Sequence, residues 1–267
     1  MNNEIKTVIA VKNIRKEYVV KKHFLTGKVQ EKVVAVKNAS FEAKEGMTLG
    51  IVGESGSGKS TMGEIAGGLL KATFGSVFYC GKNTAEMSRD EYEEYRRNVQ
   101  FIFQDPKGSM DPNYTIGDNI LFPLLTLKVV NNKDEAGRLV SEILEKVGLD
   151  DNIKNKYPSE ISGGQCQRAA IARALVVNPK VIICDEPVSA LDVSIQAQIL
   201  NLLKELQREL RISYIFISHD IGVVNYMSDT IMVIRKGNVV EEGASKEVLL
   251  HPKETYTKKL ISSAFVK

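Results

Sequence analysis

Nine residues, Gly53-Glu54-Ser55-Gly56-Ser57-Gly58-Lys59-Ser60-Thr61, narrow the folds open to this chain more than any other stretch. Gly53, Gly58, Lys59 and Ser60 fall on the fixed positions of the phosphate-binding pattern G-x-x-x-x-G-K-[ST]. The flanks carry the context that this pattern needs. Met47-Thr48-Leu49-Gly50-Ile51-Val52 reads as a buried strand, and residues 61–70 read as a helix. Glycines let such a loop bend and bring its N–H groups close to a polyphosphate. The helix start behind it adds unpaired donors and a partial positive charge. Lys59 then reaches the terminal phosphates, and the Ser60 hydroxyl ligates Mg²⁺. The competing reading is a glycine-rich turn that meets the pattern by chance. Strand and helix on either side argue against it.

Around this loop, strands alternate with helices. Residues 5–11 alternate and read as a strand, 12–18 continue toward a turn, and the basic stretch 19–32 reads as a long hairpin connection. A second strand covers 33–43, with Val34, Val36, Ala39 and Phe41 on its pattern. A short strand at 75–80 is followed by a turn at Gly81-Lys82-Asn83. Residues 88–97 are charged and helical, with Ser88 as cap and Glu91 three residues on. Val99-Gln100-Phe101-Ile102-Phe103 is a buried strand that ends at Gln104. From 105 to 177 strand patterns disappear. Residues 134–147 carry a helical stripe of Ala136, Leu139, Val140, Ile143, Leu144 and Val147. A further helix over 164–177 ends at Asn178-Pro179. Beyond it come an apolar strand at 181–184, a helix over 194–210, a strand at 214–217, a hairpin around Lys236-Gly237-Asn238 and two short helices. This order predicts an α/β fold with a parallel core. The helical block 105–177 reads as an insertion in it.

Other stretches carry chemistry with bland alternatives beside them. Val181-Ile182-Ile183-Cys184 runs into Asp185 and Glu186. Ligands of open parallel sheets sit at the carboxyl ends of strands. Asp185 is therefore placed to hold Mg²⁺ and Glu186 to polarise an attacking water, unless the pair is only a solvated turn. Ser162-Gly163-Gly164-Gln165 opens a helix and offers a second anion site, or is an ordinary serine cap. Gln104 either touches Mg²⁺ or water or is plain loop. His219 ends the strand Tyr214-Ile215-Phe216-Ile217-Ser218, where it hydrogen-bonds a terminal phosphate or serves as a satisfied structural group. Ser189-Ala190-Leu191-Asp192 includes a possible helix cap at either end.

Composition limits the setting. The 267 residues are 43% hydrophobic and 26% charged, enough for a sizeable core. A formal charge of +3 does not argue for nucleic acid. Cys80, Cys166 and Cys184 form no CxxC or Cys/His cluster, so neither a disulfide framework nor a zinc site is indicated, and a reducing cytosol is the simplest home. The polar first six residues lack the apolar core of a signal peptide. No apolar run approaches the roughly 18 residues of a membrane span. Any membrane role is expected to come through a partner.

Taken together, the stretches follow one order: phosphate loop, glutamine, Ser-Gly-Gly-Gln, Asp-Glu, Ser-Ala-Leu-Asp, histidine. That order resembles the ATP-binding cassette (ABC) transporter ATPases over nearly the whole chain. In that family the Ser-Gly-Gly-Gln stretch is diagnostic. The resemblance implies a phosphate-loop (RecA-like) NTPase core, with an antiparallel β subdomain near the amino terminus and an inserted all-helical subdomain. One ABC ATPase domain would cover 1–267, with 1–104 and 178–267 as core plus β subdomain and 105–177 as the helical subdomain. It also implies a head-to-tail dimer, in which each ATP lies between the phosphate loop of one cassette and the Ser-Gly-Gly-Gln helix of the other. By similarity, residues 53–61 bind phosphate, with Ser60, Gln104 and Asp185 at Mg²⁺. Glu186 is the base, Asp192 bridges the subunits, His219 senses the terminal phosphate and Gln104 links the site to the transporter. Tyr18 would stack on adenine, with Phe24 as a nearby competitor.

The match narrows further. Gly53-Glu54-Ser55-Gly56-Ser57-Gly58, Phe103-Gln104-Asp105-Pro106 and the run from Glu186-Pro187-Val188 to Ser194-Ile195-Gln196 look like the dipeptide, oligopeptide and nickel importer ATPases. Tyr256-Thr257 resembles that group's closing Pro-Tyr-Thr, with Thr255 in place of the proline, and Ile161 stands where leucine or phenylalanine is usual. No cysteine follows Cys184, so the iron–sulfur extension of some oligopeptide members cannot be placed. The implied function is ATP hydrolysis that powers uptake of peptides or nickel-type metal complexes. The implied partners are a second ABC ATPase subunit (a different chain or a second copy), two transmembrane permease subunits and an extracellular solute-binding protein. The implied place is peripheral, on the cytoplasmic face of the membrane. A soluble cassette acting on DNA or ribosomes is the alternative. One phosphate loop and no long heptad run argue against it. A subunit that binds nucleotide without hydrolysing it is a further alternative, opposed by Glu186 and His219.

Overall fold

The computed structural model describes residues 5–22 and 29–265. In chain order the elements are β1 (Thr7–Lys22), β2 (Val29–Lys44), β3 (Thr48–Val52), α1 (Lys59–Ala66), β4 (Phe74–Tyr79), β5 (Lys82–Asn83), α2 (Arg89–Asn98), β6 (Val99–Ile102), α3 (Ile116–Thr126), α4 (Lys133–Lys146), α5 (Gly163–Leu175), β7 (Val181–Asp185), α6 (Val193–Leu210), β8 (Ser213–Ser218), α7 (Ile221–Met227), β9 (Thr230–Arg235), β10 (Asn238–Ala244), α8 (Ser245–Leu250) and α9 (Thr255–Phe265). The chain forms two compact units, Met1–Met87 with Ile215–Lys267, and Ser88–Tyr214.

In the first unit the strands run β5-β4-β1-β2-β10-β9-β3, with β8 beside β3. β1 pairs antiparallel with β2 on one side and β4 on the other. β3 pairs parallel with β9, Ile51 lying opposite Met232. The expected antiparallel β region and the parallel strands next to the phosphate loop are both present. All five residues of β3 are buried, as its unbroken apolar run requires of a central strand. The β1–β2 ribbon runs further than expected. Tyr18 faces Val33, Val19 faces Lys32 and Lys22 faces Val29, so most of the stretch assigned to a connection is ladder. Lys32 does not oppose pairing, because its side chain is 51% exposed and its neighbours are open to water as well; Val20 is 59% exposed and Val33 51%. Phe24 lies outside the described residues. The helix after the loop stops at Ala66, short of the expected residue 70. The pair Gly67-Gly68 ends it, with Gly68 at φ +75°.

In the second unit β6 and β7 pair in parallel, with Phe101 opposite Ile183. α2 opens with the expected reciprocal cap. Ser88 N–H donates to Glu91 Oε2 at 2.8 Å, and Glu91 N–H donates to Ser88 Oγ. α4 buries Ala136, Val140 and Leu144, the centre of its predicted stripe. Between residues 105 and 177 the described residues form α3, α4, α5 and short 3₁₀ turns, and no strand. α3 is not announced by periodicity. It holds Pro123 in its interior, against the usual signal, and its start is marked by a Thr115–Asp118 cap instead. Among the described residues no helix is long and apolar enough to cross a membrane.

Candidate functional site

The phosphate loop begins where β3 ends, and its shape depends on contacts that exclude side chains. A Cβ on Gly53 would lie 2.1 Å from the Ile234 carbonyl oxygen of β9. A Cβ on Gly58 would lie 2.4 Å from the Ala35 carbonyl oxygen of β2, and Gly58 sits at φ +105°. Gly56, at φ +73°, has open space around it. The turn between β9 and β10 fastens the loop from outside, Gly237 N–H donating to Ser57 O at 2.9 Å. Lys59 is only 4% exposed. Its Nζ donates to the carbonyls of Gly53 (2.8 Å) and Glu54 (3.0 Å), so the ammonium lies folded over the loop it is expected to serve. The Ser57 hydroxyl is buried with no hydrogen-bond partner among the described residues. A buried cation, an orphaned hydroxyl and a cradle closed to a Cβ at Gly53 and Gly58 fit a polyphosphate.

The two glycines give a graded test. Gly58→Ala adds backbone strain and a steric overlap, and is expected to lower stability on the order of 2 kcal/mol. That is a fall in thermal midpoint of roughly 4–8 °C, with loss of nucleotide binding. Gly56→Ala meets no neighbour and is expected to cost about half as much. Thermal melts of both variants check the order; equal shifts would contradict it.

Gln104, Asp185 and Glu186 lie in the second unit. Parallel pairing of β6 and β7 puts Gln104 and the two acids beyond the same end of neighbouring strands. The Gln104 amide Nε2 donates to Glu186 Oε2 at 3.3 Å, so the structure brings together two residues 82 positions apart. Glu186 is half-buried and holds a left-handed backbone, φ +46°, strained for a residue with a Cβ. Its carbonyl accepts from Ser189 N–H at 3.3 Å and Ser189 Oγ at 3.1 Å, which stabilises that turn. Lys128, Arg211 and Lys236 hold the same left-handed backbone at ordinary turns, so the conformation fixes where the Glu186 carboxylate stands without assigning it a role. Cys184, just before, is inert. Burial first, and the Asp185 charge second, push its thiol up.

Ser162 to Gln165 form a reciprocal cap. Ser162 Oγ accepts from Gln165 N–H at 3.2 Å, and Gln165 Oε1 accepts from Ser162 N–H at 3.0 Å. The serine-cap reading is therefore true of this helix, and it leaves Ser162 and Gly163 exposed at the helix start. Gly164 is required by packing, since its Cβ would stand 2.9 Å from Ile195 Cγ2 of α6. Asp192 is the exposed N-cap residue of α6, without a side-chain capping bond. In the first unit, His219 is exposed directly after β8, whose six residues are all buried. The next residue, Asp220, caps α7 through Gly222 N–H at 2.7 Å. Tyr18 is 38% exposed on β1, with Lys16 Nζ 5.2 Å from the ring centroid.

Two contributors escape the sequence reading. Arg173 of α5 donates to the carbonyl of Ser109, and to Ser109 Oγ at 3.0 Å, so it fastens the loop after Gln104 to the helix that Ser162 opens. Asn119 holds the same loop, its Nδ2 donating to the carbonyls of Asp111, Tyr114 and Thr115. An arginine inside an otherwise apolar helical run is the signal that was available for the first. As for metals, no group of three or more His, Cys, Asp or Glu among the described residues is arranged to hold an ion. Mg²⁺ does not need one, since it takes one or two protein oxygens together with substrate phosphates. The Ser60 hydroxyl, the Asp185 carboxylate and the Gln104 carbonyl are hard oxygen donors of that kind.

Comparison with known proteins gives a consistent picture. The sequence model of the ABC transporter family matches residues 36–189. The oligopeptide transport ATP-binding protein OppF of Salmonella typhimurium is 51% identical over 229 residues, 86% of this chain and 69% of that protein. OppF of Bacillus subtilis is 48% identical over 91% of this chain and 79% of its own length. The glutathione import ATP-binding protein GsiA of Escherichia coli is 45% identical over 96% of this chain and 41% of its own. Among solved structures, a dimeric ATP-binding cassette in a post-hydrolysis state, bound to ADP and Pi, superposes with a TM-score of 0.77 at 34% identity, covering 89% of this chain and 98% of that one.

Proposed function

Because the chain belongs to the ABC transporter family, we propose that it is the ATP-hydrolysing subunit of an importer that takes up peptides. The observation that carries this is the likeness to the oligopeptide and glutathione import ATP-binding proteins, at 45–51% identity across 86–96% of the chain. It favours peptides over the nickel-type complexes of the wider group and does not favour a soluble cassette acting on DNA or ribosomes. The family match runs through residues of both compact units, which supports one ATPase domain, and the stretch 105–177, helical and without a strand, is read as its helical subdomain.

The roles follow from the groups present. The N–H groups of residues 53–61 and the Lys59 ammonium bind the phosphates of ATP. Ser60, Asp185 and Gln104 would hold Mg²⁺, which would supply neutralisation of phosphate charge. Glu186 takes a proton from the attacking water, Gln104 orients that carboxylate by its 3.3 Å hydrogen bond, and His219 hydrogen-bonds the terminal phosphate. Tyr18 stacks on adenine by the ring face that Lys16 does not cover. Ser162 to Gln165 and Asp192 act in trans, on the nucleotide of a second ABC ATPase subunit, a different chain or a second copy. The Ser162 cap leaves the hydroxyl proton able to donate while its oxygen accepts from Gln165. Two permease subunits and an extracellular solute-binding protein complete the complex, with this subunit peripheral on the cytoplasmic face.

The loop after Gln104 gives the experiment. It is braced internally, Gly108 N–H donating to Asp105 Oδ1 at 3.0 Å, and externally by Arg173. A braced segment that begins at a site glutamine and exposes Asp105, Lys107 and Gly108 suits a link to the permease. In the reconstituted complex, Lys107→Glu is expected to lower peptide moved per ATP hydrolysed by roughly fivefold, with ATP affinity within about twofold of wild type. Unchanged transport per ATP would count against this placement.

A further inference from the structure

The carboxyl-terminal helix α9 reaches the phosphate loop through one side chain. Tyr256, in the first turn of α9, is only 9% exposed, and its phenol oxygen accepts a hydrogen bond from Glu54 N–H at 3.3 Å. That N–H belongs to the Gly53–Glu54 peptide. The carbonyl of the same peptide accepts from Lys59 Nζ at 2.8 Å. One peptide plane is thus held at both ends, by the phosphate-binding lysine and by Tyr256. Beside it, β9 closes the third side. The Ile234 carbonyl occupies the space that a Gly53 Cβ would need, and the next residue, Arg235, lies over the Tyr256 ring at 4.9 Å from its centroid.

Tyr256 is anchored in turn. Glu241 of β10 accepts from Lys253 N–H at 2.8 Å and Glu254 N–H at 3.1 Å, which fixes the approach to α9. Burial works against the Glu241 carboxylate, but the Lys253 N–H first, then the Thr257 side chain, the Glu254 N–H and the Lys253 charge, together hold its pKa below the ordinary value. Burial pushes the Tyr256 phenol up, so the neutral hydroxyl is the form that meets Glu54.

We infer that Tyr256 is a positioning residue for nucleotide binding, which fixes the Gly53–Glu54 peptide and so preorganises the phosphate loop before phosphate arrives. The inference rests on the ATP-binding reading of residues 53–61. Tyr256 acts through the peptide and the Lys59 ammonium attached to it, without itself reaching for phosphate. Its ring, packed under Arg235, supplies rigidity; only its hydroxyl reaches Glu54. Loss of that hydroxyl leaves the peptide plane to be ordered at the moment of binding, and the cost appears in affinity.

The test is Tyr256→Phe in the full-length chain, with dissociation constants for ATP and ADP and a melt without nucleotide. Steady-state hydrolysis is measured in the assembled complex. Glu54 is exposed, so water can take its N–H, and the melt is expected to move less than about 3 °C. Both dissociation constants, and KM for ATP, are expected to rise roughly three- to tenfold, with kcat within about twofold. Unchanged nucleotide affinity overturns the inference, whether or not the melt moves, and so does a fall in kcat alone. A wild-type chain that binds neither nucleotide would instead overturn the ATP-binding reading beneath it.

Discussion

Glu186→Gln is expected to keep ATP binding intact while turnover falls on the order of 10²-fold or more. An ionised glutamate accepts a proton from water, and the amide that replaces it cannot. The substitution preserves shape, and an amide oxygen can still accept from Gln104 Nε2, now 3.3 Å from Glu186 Oε2. The strained turn at φ +46° is a property of the backbone and survives as well. The defect should therefore fall on kcat and leave the dissociation constant for ATP in place. Hydrolysis by the assembled variant within about a factor of three of wild type would remove Glu186 from the role of base.

Ser162→Arg is expected to abolish hydrolysis at the partner's nucleotide and spare the one bound by this chain's own Lys59. A helix start can set its N–H groups on a terminal phosphate only where a second cassette presents that phosphate. The exposure of Ser162 and Gly163 leaves room for such an approach, and an arginine would fill it. Two pairings separate the possibilities. In one, Ser162→Arg meets a partner whose phosphate-loop lysine is replaced, so both lesions share one composite site. In the other, Ser162→Arg and Lys59→Ala are in the same chain, and each site carries one lesion. Clearly more residual hydrolysis is expected from the first pairing. Equal residual activity, checked by single turnover so that coupling between sites is not mistaken for loss, contradicts the shared-site reading.

The parts of the fold legible in the sequence are those where a local pattern decides the structure. The apolar run of β3, the Ser88–Glu91 cap and the stripe of α4 each follow from residues within one or two turns of one another. The ends of β1 and β2 were less legible. A strand in an exposed ribbon tolerates basic residues, and its length is set by its partner across the ladder. α3 was hidden by Pro123, which argues against a helix that tertiary packing nevertheless forms, burying Ile116, Ile120 and Leu124.

At the site, residue types and order were readable, and mutual geometry was not. Nothing local announces that Gln104 reaches Glu186, that Glu186 lies in the left-handed region, or that Arg173 fastens the loop after Gln104. The Gln104 and Arg173 contacts depend on segments distant in sequence, and the Glu186 turn is held by Ser189, three residues on, with no glycine or asparagine to signal it. Ser162 shows a different gap. Cap and anion site are alternatives on paper, whereas in the structure the hydroxyl oxygen caps the helix, and a hydroxyl that accepts one hydrogen bond keeps a proton to donate in another.

Peptide uptake by the reconstituted complex tests the central claim most directly. Purified permeases, both ATPase subunits and the solute-binding protein are assembled in vesicles, with ATP supplied on the side that carries this chain. Labelled peptide and released phosphate are then followed together. The account predicts uptake against a gradient that requires ATP, rises with the phosphate released, and is lost with Glu186→Gln in this chain. Uptake that continues undiminished in that variant, or phosphate release with no movement of peptide by the wild-type complex, would contradict it.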